Sequence, residues 1–166
     1  RAQSDMFMAQ LYFEKDSFSL ALNGDGQYYG FIDINDEYPS TKAGNLASYY
    51  AGLCYLHTQD YEMAIEYLSN FSTDSEMLSS LALGCIGDAY LELDELDEAL
   101  DYYEDATQNS NNIFTAPRYM MKQAMIHEIN KNYEDALELY QEIKSSYKES
   151  KEFQDIDKYI SRIENR

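Results

Sequence analysis

Few side chains in this sequence have the type and spacing to do chemistry. Its two histidines are His57 and His127, its two cysteines are Cys54 and Cys85, and its acidic pairs include Asp94 with Asp97 and Glu134 with Asp135. Two carboxylates can divide the acid and base roles of a hydrolase. Here no pair stands out from the rest, and each falls at the expected start of a helix, where negative charge meets the positive end of the dipole. They read as helix stabilisers. The cysteines sit in apolar stretches without the C-x-x-C spacing of a zinc or redox site, so both are expected to be free thiols, although an oxidising compartment would allow them to pair. Asn23-Gly24-Asp25-Gly26 could open a calcium loop, but it lacks the spaced ligands and closing Glu of an EF-hand, and a bent helix is the preferred reading. No phosphate-binding glycine loop, H-E-x-x-H or G-x-S-x-G occurs. The expectation is a non-enzyme with no catalytic residue, metal or cofactor.

Composition narrows the class further. Twelve basic side chains face 31 acidic ones, a net charge of −19. Such a field repels phosphate backbones and anionic headgroups, which disfavours nucleic acid and membrane surfaces as partners. Its simplest use is a well-solvated surface, and a salt titration would expose any lure for a basic partner. At 166 residues and 45% hydrophobic the chain can bury a core. Only 2 Pro and 7 Gly interrupt a composition rich in Ala, Leu, Glu and Tyr, so long helices are expected. No run approaches the roughly 18 apolar residues that span a bilayer. The sequence begins at Arg1 rather than Met, which suggests that a preceding segment was removed and leaves a lost signal or anchor open.

The elements that would position these residues emerge from an internal repeat. Four sites carry a small residue, a ring three positions on, and an alanine twelve positions after the small residue. They are Ala9, Tyr12 and Ala21; Gly52, Tyr55 and Ala64; Gly87, Tyr90 and Ala99; and Ala124, His127 and Ala136. A large apolar residue precedes each alanine by three, at Phe18, Tyr61, Leu96 and Tyr133, and an aliphatic one follows it, at Leu22, Ile65, Leu100 and Leu137. Two antiparallel helices approach closely only where both present small side chains. The small column and the alanine column supply that crossing, and the large residues fill the space beside it. Polar pairs separate the two helices: Asp16-Ser17, Gln59-Asp60, Asp94-Glu95 and Lys131-Asn132. Of these, Ser17, Asp60 and Asn132 are expected to cap the following helix. Pro117, preceded by Thr115, suits the first turn of the fourth hairpin. The histidine at 127 fills a column held elsewhere by tyrosine and so reads as a packed ring.

This pattern resembles the tetratricopeptide repeat, whose period of about 34 residues places small, Tyr, Ala and aromatic residues at these positions. The resemblance implies an all-α fold, an α-α superhelix or solenoid of about four hairpins. The repeats are expected over 2–44, with an insertion, then 45–79, 80–116 and 117–149. Residues 150–166, with Phe153, Ile156, Ile160 and Ile163 at helical spacing, are expected to form a capping helix that covers the last apolar face. Departures from the pattern are the family's early tryptophan, replaced by Asp5, Ser48, Leu83 and Met120, and the missing glycine of the inter-helix turn. The late small residue survives only as Ala106, with Phe71 and Ile143 in its other places. In the first repeat, Asn23 to Gly26 should break the second helix before Phe31, Ile32 and Ile34 resume the pattern.

A narrower likeness runs through Ala21-Leu22-Asn23-Gly24-Asp25-Gly26, Thr41 to Gly52, Ile86-Gly87-Asp88-Ala89-Tyr90, Phe114-Thr115-Ala116-Pro117 and Asp157-Lys158-Tyr159-Ile160. These stretches are similar to bacterial tetratricopeptide proteins with one N-terminal membrane helix and a repeat domain outside the cytoplasm, of the kind found as the ancillary subunit of the Sec translocon. The resemblance implies a cell-envelope protein, its repeats periplasmic and its anchor preceding Arg1; a cytoplasmic protein is the alternative. Its partners would be proteins or peptides, among them translocating clients or periplasmic chaperones.

The same resemblance implies that first helices line a concave face. Taking positions around the small column gives Met6, Gln10 and Phe13; Tyr49, Leu53 and Leu56; Asp88 and Leu91; and Met121, Met125 and Ile129 as the expected partner-binding residues. Methionines and rings suit an amphipathic helix or unfolded segment. Gripping an acidic chaperone tail would need several cations here, and only Arg118 and Lys122 qualify, so that use is disfavoured. A homodimer that fills its own groove is the second expectation, and gel filtration with light scattering would separate the two.

Overall fold

Helices run wherever the small, ring and alanine columns fall. The computed structural model describes residues 2–108 and 112–166, and among the described residues there is no strand. The chain divides into two units, Arg1–Thr73 with Asp88–Leu93, and Asp74–Gly87 with Asp94–Arg166.

The first unit holds α1 (Ala2–Glu14), α2 (Phe18–Asn23), α3 (Phe31–Glu37), α4 (Lys42–His57) and α5 (Tyr61–Ser69). Helices α1 and α2 form one hairpin and α4 and α5 another, with α3 lying against α4. The break expected at Asn23 is a loop over 24–30, and the resumed apolar pattern is a separate helix rather than a continuation of α2. Phe31 and Ile34 of that helix are completely buried and share the core with Ala21, Leu22, Ala47 and Ala51. Burying each large side chain contributes roughly 1.5 to 3 kcal/mol. Gly24, at φ 76°, is where the loop leaves α2; a Cβ there would stand 2.2 Å from the Tyr28 carbonyl oxygen.

The loop is closed by its own carboxylate. Asp25 accepts from the Tyr12 hydroxyl at 2.6 Å and from the backbone N–H groups of Gln27 and Tyr28 at 2.9 and 2.8 Å. These bonds, the Tyr12 one foremost, hold its pKa down from 3.8 to about 2. A carboxylate with a depressed folded pKa stabilises the fold above its unfolded pKa, and that contribution fades as pH falls from about 4 toward 2. Asp25→Asn should therefore flatten the acid limb of a thermal-denaturation profile in that window and leave the neutral limb parallel to wild type. An unchanged acid limb would mean that Asp25 does not hold the loop.

The second unit holds the Asp74–Gly87 part of α6 (Glu76–Glu92), then α7 (Leu96–Gln108), α8 (Ala116–Ile129), α9 (Tyr133–Ser146), a 3₁₀ turn (Glu152–Asp155) and α10 (Ile156–Glu164). Helix α7 packs on α8, α8 on α9, and α9 on α10. The terminal segment covers the last core as its spacing requires: Ile156, Ile160 and Ile163 are buried with Ala136, Tyr140 and Ile143, while Lys158, Ser161 and Glu164 face water.

Each polar pair between helices proves to be a left-handed turn. Asp16, Gln59, Asp94 and Lys131 have φ of 55°, 64°, 61° and 62°. At three of them the following N–H reaches back to the ring column, Ser17 to Tyr12, Asp60 to Tyr55 and Asn132 to His127, at 2.9, 3.0 and 2.8 Å. This is the 6→1 closure of a helix end that glycine usually makes. Gln and Lys in this conformation carry a steric cost of roughly 1 kcal/mol, less for Asp. Gln59→Gly and Lys131→Gly should each stabilise the fold by about 1 kcal/mol, read as a rise in the urea midpoint at constant m-value.

The capping expectation needs correction at two of three sites. Asp60 accepts from Met63 N–H at 3.4 Å, but Ser17 and Asn132 make no side-chain cap bond. All three share a ψ set by the tight turn, 60° at Ser17, 77° at Asp60 and 66° at Asn132, and only Asp60 reaches the helix start, at a long distance; Thr41, with an extended ψ of 160°, is better aimed. Thr41 does cap α4, accepting from Gly44 N–H at 3.1 Å.

The crossing columns are buried, with Ala21, Ala64, Ala99 and Ala136 completely shielded. The tightest approach comes one turn later than the alanine. A Cβ on Gly52 would meet Leu68 Cγ at 2.5 Å, and one on Gly87 would meet the Tyr103 ring at 2.7 Å. Leu68 and Tyr103 stand four positions past Ala64 and Ala99 on the same helix face.

Candidate functional site

First-helix faces are set by their distance from the small column. Met6 and Met121 lie three positions before Ala9 and Ala124, the side that turns toward the hairpin partner, and only 7% and 9% of their surface is exposed. Both belong to the cores, Met6 with Ala9 and Leu22, Met121 with Ala124 and Ile160. This corrects their expected place on a partner-facing surface. Positions one and five past the column turn outward on α8, where Met125 and Ile129 are 38% and 60% exposed.

In the first unit Gln10, Phe13, Tyr49, Leu53, Leu56, Asp88 and Leu91 are half-buried. Phe13 meets Phe18 and Tyr50 edge-on at 5.7 and 5.3 Å, and Tyr49 leans on Phe71 at 4.9 Å. The rings are thus held by one another as well as by the core. His57 stacks on Phe18 with centroids 4.3 Å apart and planes 4° from parallel, a contact that repeat spacing alone did not signal. Phe7, 63% exposed, was also missed; it lies beside the core position Met6 and outside the column pattern.

In the second unit the outward side of α8 carries more than Met125 and Ile129. Arg118 is exposed, and Lys122 lies over the rings of Tyr103 and Tyr119 at 5.3 and 5.9 Å. The turn before α8 exposes Ile113 and Phe114, held because Asn112 Oδ1 accepts from the N–H groups of Phe114 and Thr115 at 2.8 and 2.9 Å. Near the C-terminal end of α8, Glu128 accepts from the Tyr140 hydroxyl at 2.7 Å and from Arg162. Burial, then this hydrogen bond, pushes the Tyr140 hydroxyl pKa upward, and the same carboxylate raises that of Arg162. These groups lock α8, α9 and α10 together.

Both cysteines are free thiols, Cys54 buried and Cys85 half-buried, and burial pushes the Cys54 thiol up to about 12, far from a nucleophilic thiolate. His127 is half-buried, and its Nδ1 lies 3.9 Å from Asp135 Oδ2, beyond hydrogen-bond reach. Among the described residues no group of three or more His, Cys, Asp or Glu side chains could hold a metal ion, and no helix is long and apolar enough to cross a membrane.

An array of helix hairpins nested through small residues, with rings and methionines on its first helices, defines the class. Two tetratricopeptide repeat models match, at residues 46–74 and 85–150, and the chain carries tetratricopeptide repeats over those stretches. Among solved structures, one of MamA superposes with a TM-score of 0.72 at 17% identity, covering 99% of this chain and 90% of that one. A second MamA structure gives 0.68 at 16%, covering 95% and 92%. A Podosopora anserina protein described as a kinesin light chain with nearly identical TPR-like repeats gives 0.71 at 14%, covering 99% and 85%. At these identities the likeness is one of fold. A comparison with curated protein sequences gave no match.

Proposed function

We propose that this chain is a protein-interaction scaffold whose first helices receive apolar or helical segments of partner proteins. Repeats of this kind stack into a frame with an extended concave surface suited to binding. The observation that carries the reading is the pair Met125 and Ile129, two large apolar side chains four apart on α8 and 38% and 60% exposed. One exposed apolar residue is ordinary; two on adjacent turns of one helix face make a landing strip for another helix. The half-buried rings of α1 and α4 offer a similar face in the first unit. A place in the bacterial envelope, with translocating clients or periplasmic chaperones as partners, is the setting we propose on the strength of the sequence resemblance.

Selection from a displayed library of amphipathic helical peptides tests the reading. Peptides recovered on the wild-type protein should lose at least about tenfold in affinity for Ile129→Asp, since a buried charge opposite an apolar anchor removes more than about 1.4 kcal/mol. If no recovered peptide depends on Ile129 or Met125, α8 is not a binding face.

A further inference from the structure

The position two before the small residue of a first helix packs on an element earlier in the chain. Tyr50, two before Gly52, stacks on Phe31 at 5.1 Å and meets Phe13 edge-on at 5.3 Å. Lys122, two before Ala124, lies over the Tyr103 ring of α7, and its neighbour Gln123 donates to the Tyr103 carbonyl at 3.0 Å. In α1 the residue in that register is Phe7, two before Ala9, and it is 63% exposed. Second helices repeat the contrast. Asp135, one before Ala136, lines a hollow with Leu100 and Glu104 of α7, whereas Leu20, one before Ala21, is 42% exposed. Phe7 and Leu20 thus mark the side of the first hairpin on which another hairpin would pack, and among the described residues that side stands open.

The same side is nearly free of charge. From Gln3 to Phe13 the one charged side chain is Asp5, only 3% exposed, and α2 carries none. Glu14, Lys15 and Asp16 gather at the turn between the two helices. With a net charge of −19, two copies of the chain repel one another over most of their surface. An uncharged apolar face is where they can meet without that repulsion, held by removal of the apolar surface from water. We propose that two copies of this chain pair face to face through the first hairpin, each laying Phe7 and Leu20 against α1 and α2 of the other. The C-terminal hairpin offers no matching surface, since α10 buries Ile156, Ile160 and Ile163 and turns Lys158, Ser161 and Glu164 to water. Pairing is therefore like with like, and it closes at two copies instead of growing into a filament. Helices of 13 and 6 residues make a small face. Their contact falls at the low end of specific interfaces, near about 1,200 Å² in total, so the dimer is weak, with a Kd of roughly 10 to 100 µM. Met125 and Ile129 take no part in it.

Analytical ultracentrifugation of the 166-residue chain tests this. In salt of about 0.5 M it should sediment as a mixture of monomer and dimer near about 100 µM and as a monomer after dilution by about a hundredfold. Lowering the salt to about 0.05 M should weaken the dimer severalfold, because the acidic remainders of the two copies are then less screened from each other. Phe7→Glu and Leu20→Glu should each raise the Kd by at least about tenfold, since each places a charge in an apolar contact. Both positions are exposed in the single chain, so circular dichroism and the urea midpoint should stay at wild type. Ile129→Asp should leave the dimer unchanged. A chain that stays monomeric at every salt up to about 500 µM overturns the proposal, whatever else covers this face. So does a dimer that tightens as salt is removed, or one that survives both Glu variants. A dimer that Ile129→Asp dissociates would put the contact on α8, and oligomers that grow past two copies with concentration would show a head-to-tail contact; either result overturns it.

Discussion

Gly84→Ala is expected to lower the unfolding free energy by about 3 kcal/mol, although alanine is ordinarily the better helix residue by roughly 1 kcal/mol. A Cβ at position 84 would stand 1.9 Å from Cζ and 2.1 Å from Cε1 of Tyr119. That ring has nowhere to retreat: it is 1% exposed and lies 5.8 Å from Tyr103, with planes 15° apart. The same neighbourhood is tied by bonds that resist separation, from Ser80 Oγ to the Ala106 carbonyl at 2.7 Å and from Gln123 Nε2 to the Tyr103 carbonyl at 3.0 Å. Urea denaturation checks the size of the loss, and a double-mutant cycle checks its cause. Tyr119→Leu removes the struck atoms, so the double variant should be more stable than the sum of the single losses by more than about 1 kcal/mol. Gly87→Ala meets Tyr103 at the longer distance of 2.7 Å and should cost less than Gly84→Ala. A neutral Gly84→Ala would contradict the nesting of α6 against α8.

Tyr140→Ala is expected to be larger still, about 4 kcal/mol, because it empties a fully buried ring site and severs a junction. Tyr140 is completely shielded, its hydroxyl donates to Glu128 on α8, and its ring lies 5.4 Å from Tyr159 on α10. Arg162 of α10 binds the same carboxylate, and its guanidinium lies 4.9 Å from the Tyr159 ring centroid. Three helices therefore meet through one side chain. Tyr140→Phe keeps the ring and loses only the hydroxyl bond, so it should cost about 1 to 2 kcal/mol. Hydrogen exchange gives the sharper readout: amides of α10 should lose protection in Tyr140→Ala well before those of α8. Equal loss across both helices would mean that α10 is not a separable cover.

The columns of Gly52, Gly87, Ala64, Ala99 and their neighbours determined the helix pairs, the turn positions and the covering segment from sequence alone. Period and spacing are local properties, and they fix which residues share a helix face. They also located the turns, because a polar pair falls between the apolar columns of each hairpin; that those turns are left-handed came from the structure. Depth of burial was decided only by the tertiary structure. Met6 and Met121 share the apolar, helical character of Met125, yet neighbours from other helices close over the first two and leave the third in water. Likewise Ser17, Asp60 and Asn132 all have the chemistry of a cap and similar backbone angles after a tight turn, yet only Asp60 makes the bond. Periodicity states the direction in which a side chain points. What it meets there depends on residues far away in the chain, brought close by packing of small against large.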